Sequence, residues 1–341
     1  MIPTYDIKYY DMMLNVDIGK TCLLKCPKCI RQMPDFEMAQ NITVDDWKKV
    51  ANTFNKVNFC GTQSDPIYHP QFLDIMKYCI DNNNEVKVHT CGHGKSLDWW
   101  VNLADIIKTS KDLWKIRLVF SLDGLPEEAH KHKVGQNGIE VWEIMKWLAL
   151  QGISIQWQYI VFKYNEDHIE QAHQMANEYN IKFITIDSSI WDEDDPLRPT
   201  KAIDNSLKKR YNDIEVYNGG YHTNSDIIPT VDKLYPKCMK KNDKGDYIGK
   251  PCTYDANGYL LPCPWADKKF PLALEKFHIS NVEDPIIDIF QSEEWIEFYR
   301  VLQEEPNNAP DLCKLLCSYD WTFKTKEMFQ GDKKVEDITI L

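Results

Sequence analysis

The stretch MMLNVDIGKTCLLKCPKCI, residues 12–30, decides the reading of this chain. Its first part, MMLNVD (12–17), reads as a short strand. A loop follows and carries Cys22, Cys26 and Cys29 in a C-x3-C-x2-C spacing. Three thiolates on one short loop can hold three corners of a four-iron cluster and leave the fourth iron open. An open metal position can bind a small molecule and do chemistry, whereas a site closed by four protein ligands looks structural. No fourth ligand of the C-x2-C type stands near these three, which speaks against a closed zinc site.

Beyond the loop, two periods alternate as far as residue 187. Trp47, Val50, Ala51 and Phe54 recur at helical spacing after Thr43, a predicted N-cap. KVNFC (56–60) reads as a strand, and Phe72, Ile75, Met76 and Cys79 make the next helical stripe. EVKVHT (85–90) alternates like a strand, and Trp100, Leu103 and Ile107 mark another helix. KIRLVFSLDG (115–124) is a strand running into a turn, with a stripe of Val141, Ile144, Met145 and Leu148 after it. ISIQWQYIV (153–161), the stripe Ile169, Ala172, Ala176 and Tyr179, and KFITID (182–187) complete six alternations. Such alternation implies parallel strands with crossover helices, an α/β class. Six units suit a partial (β/α)6 TIM-like barrel over residues 1–187, whose chemistry sits at the C-terminal strand ends.

The texture then changes. Residues 188–237 begin with the acidic run WDEDD (191–195) and carry Tyr211, Tyr217, Tyr221 and Tyr235 without a clear period. They read as a linker or a substrate-facing segment. Cysteines return as Cys238, Cys252, Cys263, Cys313 and Cys317, which mark a smaller module over 238–330 with a tail at 331–341. Cys60, Cys79 and Cys91 are solitary, and Cys60 and Cys79 fall on apolar faces that read as core. At 341 residues and 43% hydrophobic content the chain can bury about two domains. The 52 Asp and Glu outnumber 40 Lys and Arg, giving a net charge of −12, which argues against a nucleic-acid partner. No signal peptide and no long apolar run is present, so a cytoplasmic protein without a membrane partner is expected, one whose closely spaced cysteines bind metal rather than form disulfides.

CxxxCxxC after the first strand of such a barrel is the signature of the radical S-adenosylmethionine (radical SAM) enzymes, which this sequence resembles. The resemblance implies a SAM-binding 4Fe-4S cluster on Cys22, Cys26 and Cys29, with S-adenosylmethionine (SAM) chelated at the open iron. CGTQSDPIYHP (60–70) stands where that family has a GGEP-like motif, which implies Gln63, Ser64 and Asp65 at the cofactor's amino group. The glycine pair is absent, and Asp65 and Pro66 read equally as a turn and helix cap. HTCGHGK (89–95) replaces the family's TNG, keeping Thr90 and Gly92 with Cys91 in place of Asn. FSLDG (120–124) resembles the SLDG segment of one branch, which implies Ser121 and Asp123 near the cofactor ribose or the substrate. Their alternative is an Asx turn around Gly124. Asn165 matches a common asparagine of that branch, and Lys28 replaces a frequent aromatic. His130 and His132 follow the turn and read as substrate-facing or solvated.

CTYDANGYLLPC (252–263) resembles the C…G-x4-C element of SPASM and twitch domains. The five cysteines after residue 237 are too few for the two clusters of a full SPASM domain. The resemblance therefore implies one auxiliary iron–sulfur cluster, a 4Fe-4S cluster on Cys252, Cys263, Cys313 and Cys317, with Cys238 as a substitute. A four-cysteine zinc site is the alternative. The implied activity is reductive cleavage of SAM to a 5′-deoxyadenosyl radical. That radical would take a hydrogen atom from a peptide, a protein side chain or a small polar substrate, for oxidation or bond formation, with flavodoxin or ferredoxin as electron donor. The alternative from another class is a non-catalytic iron–sulfur or zinc scaffold on a retained barrel.

Overall fold

β1 (Met13–Val16) leads directly into the cysteine loop. It lies parallel to β2 (Lys56–Phe59), and β3 (Glu85–Thr90), β4 (Ile116–Ser121), β5 (Ser154–Val161) and β6 (Lys182–Asp187) follow in chain order, each parallel to its predecessor. Parallel neighbours need a crossover. The helices α1 (Val44–Thr53), α2 (Phe72–Asp81), α3 (Leu97–Lys108), α4 (Gly138–Leu150) and α5 (Ile169–Glu178) supply it. β6 does not pair back with β1, so the expected (β/α)6 arrangement is open. The computed structural model describes residues 13–27, 29–32, 40–61, 63–187, 195–200, 215–217, 220–222, 230–236, 238, 252–263, 275–317, 329–330 and 333–334. Lys28, Tyr211, most of the acidic run 191–195 and all but two residues of the tail lie outside the described residues.

The strand register explains the alternation in the sequence. Leu14, Val57, Val86 and Ile116 align across the sheet, and so do Val16, Phe59, Val88, Leu118 and Ile155. Both rows are buried, and this face meets the helices: the Trp47 ring lies 5.0 Å from Phe59, and Trp100 lies 5.6 Å from Phe120. Successive strand side chains point to opposite faces. The row between them, Asn15, Asn58, Lys87, Arg117 and Ser154, therefore makes the other face polar. Thr43 caps α1 by accepting from the Asp46 N–H at 3.1 Å. The stripe Trp47, Val50 and Ala51 is then fully buried, at roughly 1.5–3 kcal/mol for a large apolar side chain.

The hairpin between Cys252 and Cys263 belongs to the same sheet. Strand Thr253–Tyr254 pairs in parallel with β1, and Leu260–Leu261 folds back antiparallel on it. Gly258 turns this hairpin at φ +96°, where a Cβ would overlap the His278 ring. Helix Glu293–Glu304 buries Trp295, Phe298, Tyr299 and Leu302, and Phe290 before it meets Phe54 at 5.9 Å. One hydrophobic cluster contains Leu14, Phe54, Trp295 and Cys313 alike. Cys79 is core as expected, but Cys60 is only half-buried, because β2 ends at Phe59 and Cys60 already belongs to the strand-end region. Among the described residues no helix is long and apolar enough to cross a membrane.

Candidate active site

The C-terminal ends of β1 to β5 converge on the cysteine loop, and each contributes a hydrogen-bonded anchor. Asp17, the residue after β1, accepts from the Gln63 N–H at 2.8 Å and the Ser64 hydroxyl at 2.6 Å. Asp65, 5% exposed, accepts from the Cys91 N–H at 2.6 Å, the Thr90 hydroxyl at 3.0 Å and the Ile67 N–H at 3.3 Å. Its own N–H donates to Thr21 O at 3.0 Å. Asp65 thus caps the turn at Pro66–Tyr68, as one reading of the sequence had it, and also ties β2 to β3 and to the loop. Burial pushes its carboxyl above the usual carboxylate range, against those hydrogen bonds.

Among the described residues between Asp17 and Cys29 the loop has no helix or strand, and other elements fix its shape. Arg31 donates to Cys22 O at 2.8 Å and Leu24 O at 3.3 Å, and the Lys25 N–H donates to Val134 O at 3.0 Å. Cys22, Cys26 and Cys29 are half-buried and not in disulfides. The Cys22 thiol is lowered to about 7, first by a hydrogen bond with the Cys91 thiol and further by Arg31, against burial and Asp65. Cys26 is raised by burial, which the Lys133 ammonium opposes and the charges of Cys22 and Cys29 reinforce. The three thiols therefore lie within electrostatic reach of one another.

Asp123, 0% exposed, makes no Asx turn. Its carboxylate accepts from His132 Nδ1 at 3.1 Å, Lys133 Nζ at 3.2 Å and the Ile160 N–H at 3.0 Å. Burial alone would raise it, but Lys133 and His132 outweigh burial and hold it below the usual carboxylate range. His132 is accordingly buried rather than solvated. Burial works against the Lys133 charge too, and Asp123 together with Cys26 keeps it protonated. Ser121 offers its carbonyl to Gln136 Nε2 at 3.1 Å, and Gln136 also donates to Cys91 O at 2.7 Å. Asn165 closes the turn after β5, accepting from the Phe162 N–H at 2.7 Å.

Sequence reading named His132 but missed the segment 133–136. Lys133 faces the cysteine loop, Val134 holds its backbone, and Gln136, 4% exposed, ties β3 to β4. The only signal was a basic run between the SLDG turn and the next apolar stripe. The Gln136 Oε1 and the Gln63 Oε1 are buried acceptors without a hydrogen-bond partner.

In the second set the structure groups Cys263, Cys313 and Cys317 with Cys238. Burial raises Cys238, and the charges of Cys263, Cys317 and Cys313 raise it further. No cysteine acts on Cys252, which is 2% exposed and raised by burial alone against a Thr253 backbone bond. The hairpin register supplies the reason. Thr253 pairs with Leu261, and side chains alternate faces, so Cys252 leaves the strand on the face opposite to that shared by Thr253 and Leu261. Among the described residues no three His, Cys, Asp or Glu side chains converge closely enough to hold a single metal ion.

No protein-family model matches the chain, and no curated protein matches it. Solved structures do. Streptococcus suis SuiB bound to its precursor peptide SuiA is 15% identical over 89% of this chain and 76% of that one, with a TM-score of 0.54. SuiB bound to S-adenosylmethionine is 14% identical over 88% of this chain and 67% of that one, with a TM-score of 0.53. The anSMEcpe structure with bound AdoMet and the Kp18Cys peptide is 13% identical over 89% and 88%, with a TM-score of 0.51. The chain has the fold of the radical SAM enzymes. In this radical SAM fold the three-cysteine loop occupies the end of the sheet where parallel α/β folds place their chemistry.

Proposed function

We propose that the chain is a radical SAM enzyme acting on a peptide or protein side chain, or on a small polar molecule. The observation that carries this is the loop of Cys22, Cys26 and Cys29 at the C-terminal end of β1, with the cations Arg31 and Lys133 beside it. These residues fit a 4Fe-4S cluster. The thiols feel one another's charge, and three thiolates on one short loop without a nearby fourth ligand suit a cluster with one open iron rather than a closed zinc site. With SAM bound, such a cluster supplies a 5′-deoxyadenosyl radical that removes a hydrogen atom from an unreactive carbon.

The protein's own residues hold and aim. Gln63 and Gln136 present buried acceptors to a cofactor whose ammonium group has only donors. Ser64, Asp65 and Thr90 hold the ends of β1, β2 and β3 in place around it. Ser121 and Asp123 serve the side of the cofactor ribose or substrate, Asp123 by fixing Lys133. The peptide-bound states of SuiB and anSMEcpe support a peptide substrate over a small molecule. For the second set, Cys238, Cys263, Cys313 and Cys317 are the preferred ligands of one auxiliary cluster, with Cys252 as packing. Four thiolates would close that cluster, leaving it electron transfer in an oxidation or bond-forming reaction. A flavodoxin or ferredoxin would reduce the first one.

The second reading is a non-catalytic iron–sulfur scaffold, which the complete internal engagement of Asp65 favours. Anaerobic reconstitution separates the two. The enzyme reading expects about eight irons per chain and 5′-deoxyadenosine on addition of SAM and a reductant. Changing Cys22, Cys26 and Cys29 together to Ala should abolish 5′-deoxyadenosine and leave about four irons. Continued formation in that variant would refute the site.

A further inference from the structure

β3 and β4 set two cations side by side on the polar face of the sheet. Arg117, the second residue of β4, has Lys87 and Ser154 as its partners across the register. The row they belong to, Asn15, Asn58, Lys87, Arg117 and Ser154, contains no acid. Glu85 is the acid that β1 to β5 bring to this face, and it lies opposite Lys56, one row lower. Asp17, just past the end of β1, is engaged with Gln63 and Ser64. Like charges directly opposite destabilise a sheet, and the chain as a whole is acidic, with a net charge of −12. Arg117 Nε is moreover buried without a hydrogen-bond partner, and so is Asn58 Oδ1 on the other side of Lys87. A buried polar atom left unpaired is costly, more so on a charged group. The edge that carries Nε is one with which a guanidinium grips a carboxylate or phosphate through two parallel bonds. Towards the cysteine loop the same face continues through Val119, Gln156 and Gln158, all buried.

We propose that this face binds an oxyanion, a carboxylate or a phosphate, and that the oxyanion is the end of the substrate remote from its reacting carbon. The Arg117 guanidinium holds the anion through Nε, and Lys87 on the next strand adds a second positive charge. Asn58 Oδ1 needs a donor and takes an N–H or O–H of the same ligand. A bound anion relieves the repulsion between the two cations, so it stabilises the folded chain. Arg117 lies four residues before Ser121 at the strand end, about 13 Å at about 3.3 Å per residue. A molecule gripped at Arg117 and reacting beside the cysteine loop is therefore extended. A peptide segment of about four residues, with an acidic side chain or its C-terminal carboxylate at the far end, covers that distance. The word substrate rests on the radical SAM reading under the proposed function. The anion site itself rests on the sheet alone.

The test uses the anaerobically reconstituted full chain and three probes at constant ionic strength: glutarate, inorganic phosphate, and glutaramide as the uncharged counterpart of glutarate. Thermal unfolding should move up with glutarate, with phosphate or with both, and stay in place with glutaramide. A response to glutarate alone assigns a carboxylate, and one to phosphate alone a phosphoryl group. In Arg117→Gln the dissociation constant of the responding anion should rise by at least about tenfold. Arg117→Lys keeps the charge and loses the fork, so it should fall between parent and Gln variant, and it serves alone should the Gln protein fold poorly. Equal stabilisation of the parent and both variants would be a general salt effect and would overturn the site. Failure of both anions to stabilise the parent would overturn it too. 5′-Deoxyadenosine formation by the unaltered chain separates this inference from the reading it rests on. Anion binding by a chain that forms none keeps the site and removes its role for a radical SAM substrate. 5′-Deoxyadenosine from a chain that neither anion stabilises keeps the radical SAM reading and removes the site.

Discussion

Replacing Asp123 by Asn is the sharpest test of how the site is held. The carboxylate is fully buried and compensates Lys133, whose side chain is 11% exposed, across 3.2 Å. Asn keeps the shape and can still accept from the Ile160 N–H, now 3.0 Å away, but it cannot neutralise the ammonium. Removing one partner of a buried pair costs about 3–5 kcal/mol, because the other charge stays buried and uncompensated. Whole proteins have only about 5–15 kcal/mol of stability, so the loss is severe. Lys133→Met should cost less, since His132 Nδ1 remains 3.1 Å from the carboxylate and the Ile160 N–H still donates to it. The double variant Asp123→Asn with Lys133→Met should be more stable than Asp123→Asn alone, because no orphan charge remains.

Urea unfolding of the metal-free chain measures this as a shift in midpoint at unchanged slope. The sign with pH is fixed by the depressed Asp123 carboxyl. A group whose folded-state value lies below its unfolded value gives stability above the unfolded value, near 3.9 for Asp, and loses it as pH falls through the folded one. The gap between the unaltered chain and Asp123→Asn should therefore be full at neutral pH and close in strong acid. An Asn variant as stable as the parent at neutral pH, or a gap that widens in acid, refutes the buried-pair argument.

Cys238→Ala should cost about four irons, and Cys252→Ala none, in anaerobically reconstituted protein; the opposite pattern in an iron assay would return Cys252 to the ligand set. Asp65→Ala removes three hydrogen bonds to a buried carboxyl, and losing charge-assisted bonds of about 1.5–3 kcal/mol each should loosen the β2 and β3 ends. SAM affinity should then fall roughly tenfold to a hundredfold, and an unchanged calorimetric titration would leave Asp65 as a turn residue alone. Gly258→Ala forces a Cβ into φ +96° and against His278, so thermal unfolding should show a loss of at least about 1–2 kcal/mol. An unshifted transition would mean that the hairpin turn relaxes freely.

The barrel was legible because its signals are periodic. EVKVHT alternates since Val86, Val88 and Thr90 face the buried side while Lys87 and His89 face the polar one. Trp47, Val50 and Ala51 recur at helical spacing for the same reason in α1. The cysteine loop was legible because its three thiols sit within one local motif. The rest of the site depends on contacts between distant loops, and these leave no period. Nothing in HKHKVGQ tells that Lys133 is buried on Asp123, that Val134 receives the Lys25 N–H, or that Gln136 ties Cys91 to Ser121. Cys252 entered the expected ligand set because CTYDANGYLLPC resembles the C…G-x4-C element. Strand alternation puts it on the other face, and the backbone contact of Tyr235 N–H with Cys317 O at 2.6 Å brings the segment before Cys238 to the group.

The hairpin ties β1 to the chain segment that leads to Cys263. The Asp17 N–H donates to Tyr254 O at 3.0 Å, which fastens the end of β1 to the hairpin that leads to Cys263. The carboxylate of the same Asp17 holds Gln63 and Ser64 at the first site. The Thr253 hydroxyl adds a bond to Asn15 O at 3.1 Å, one turn of the pleat earlier. A disturbance that unpairs the hairpin therefore moves Asp17, and through it the residues that frame the three-cysteine loop. If the second set binds a cluster, as proposed above, that metal would stabilise whatever backbone carries its ligands. Loss of that metal should then be felt at the first site through this strand, seen as a lower SAM affinity in a Cys263→Ala chain whose first cluster is intact.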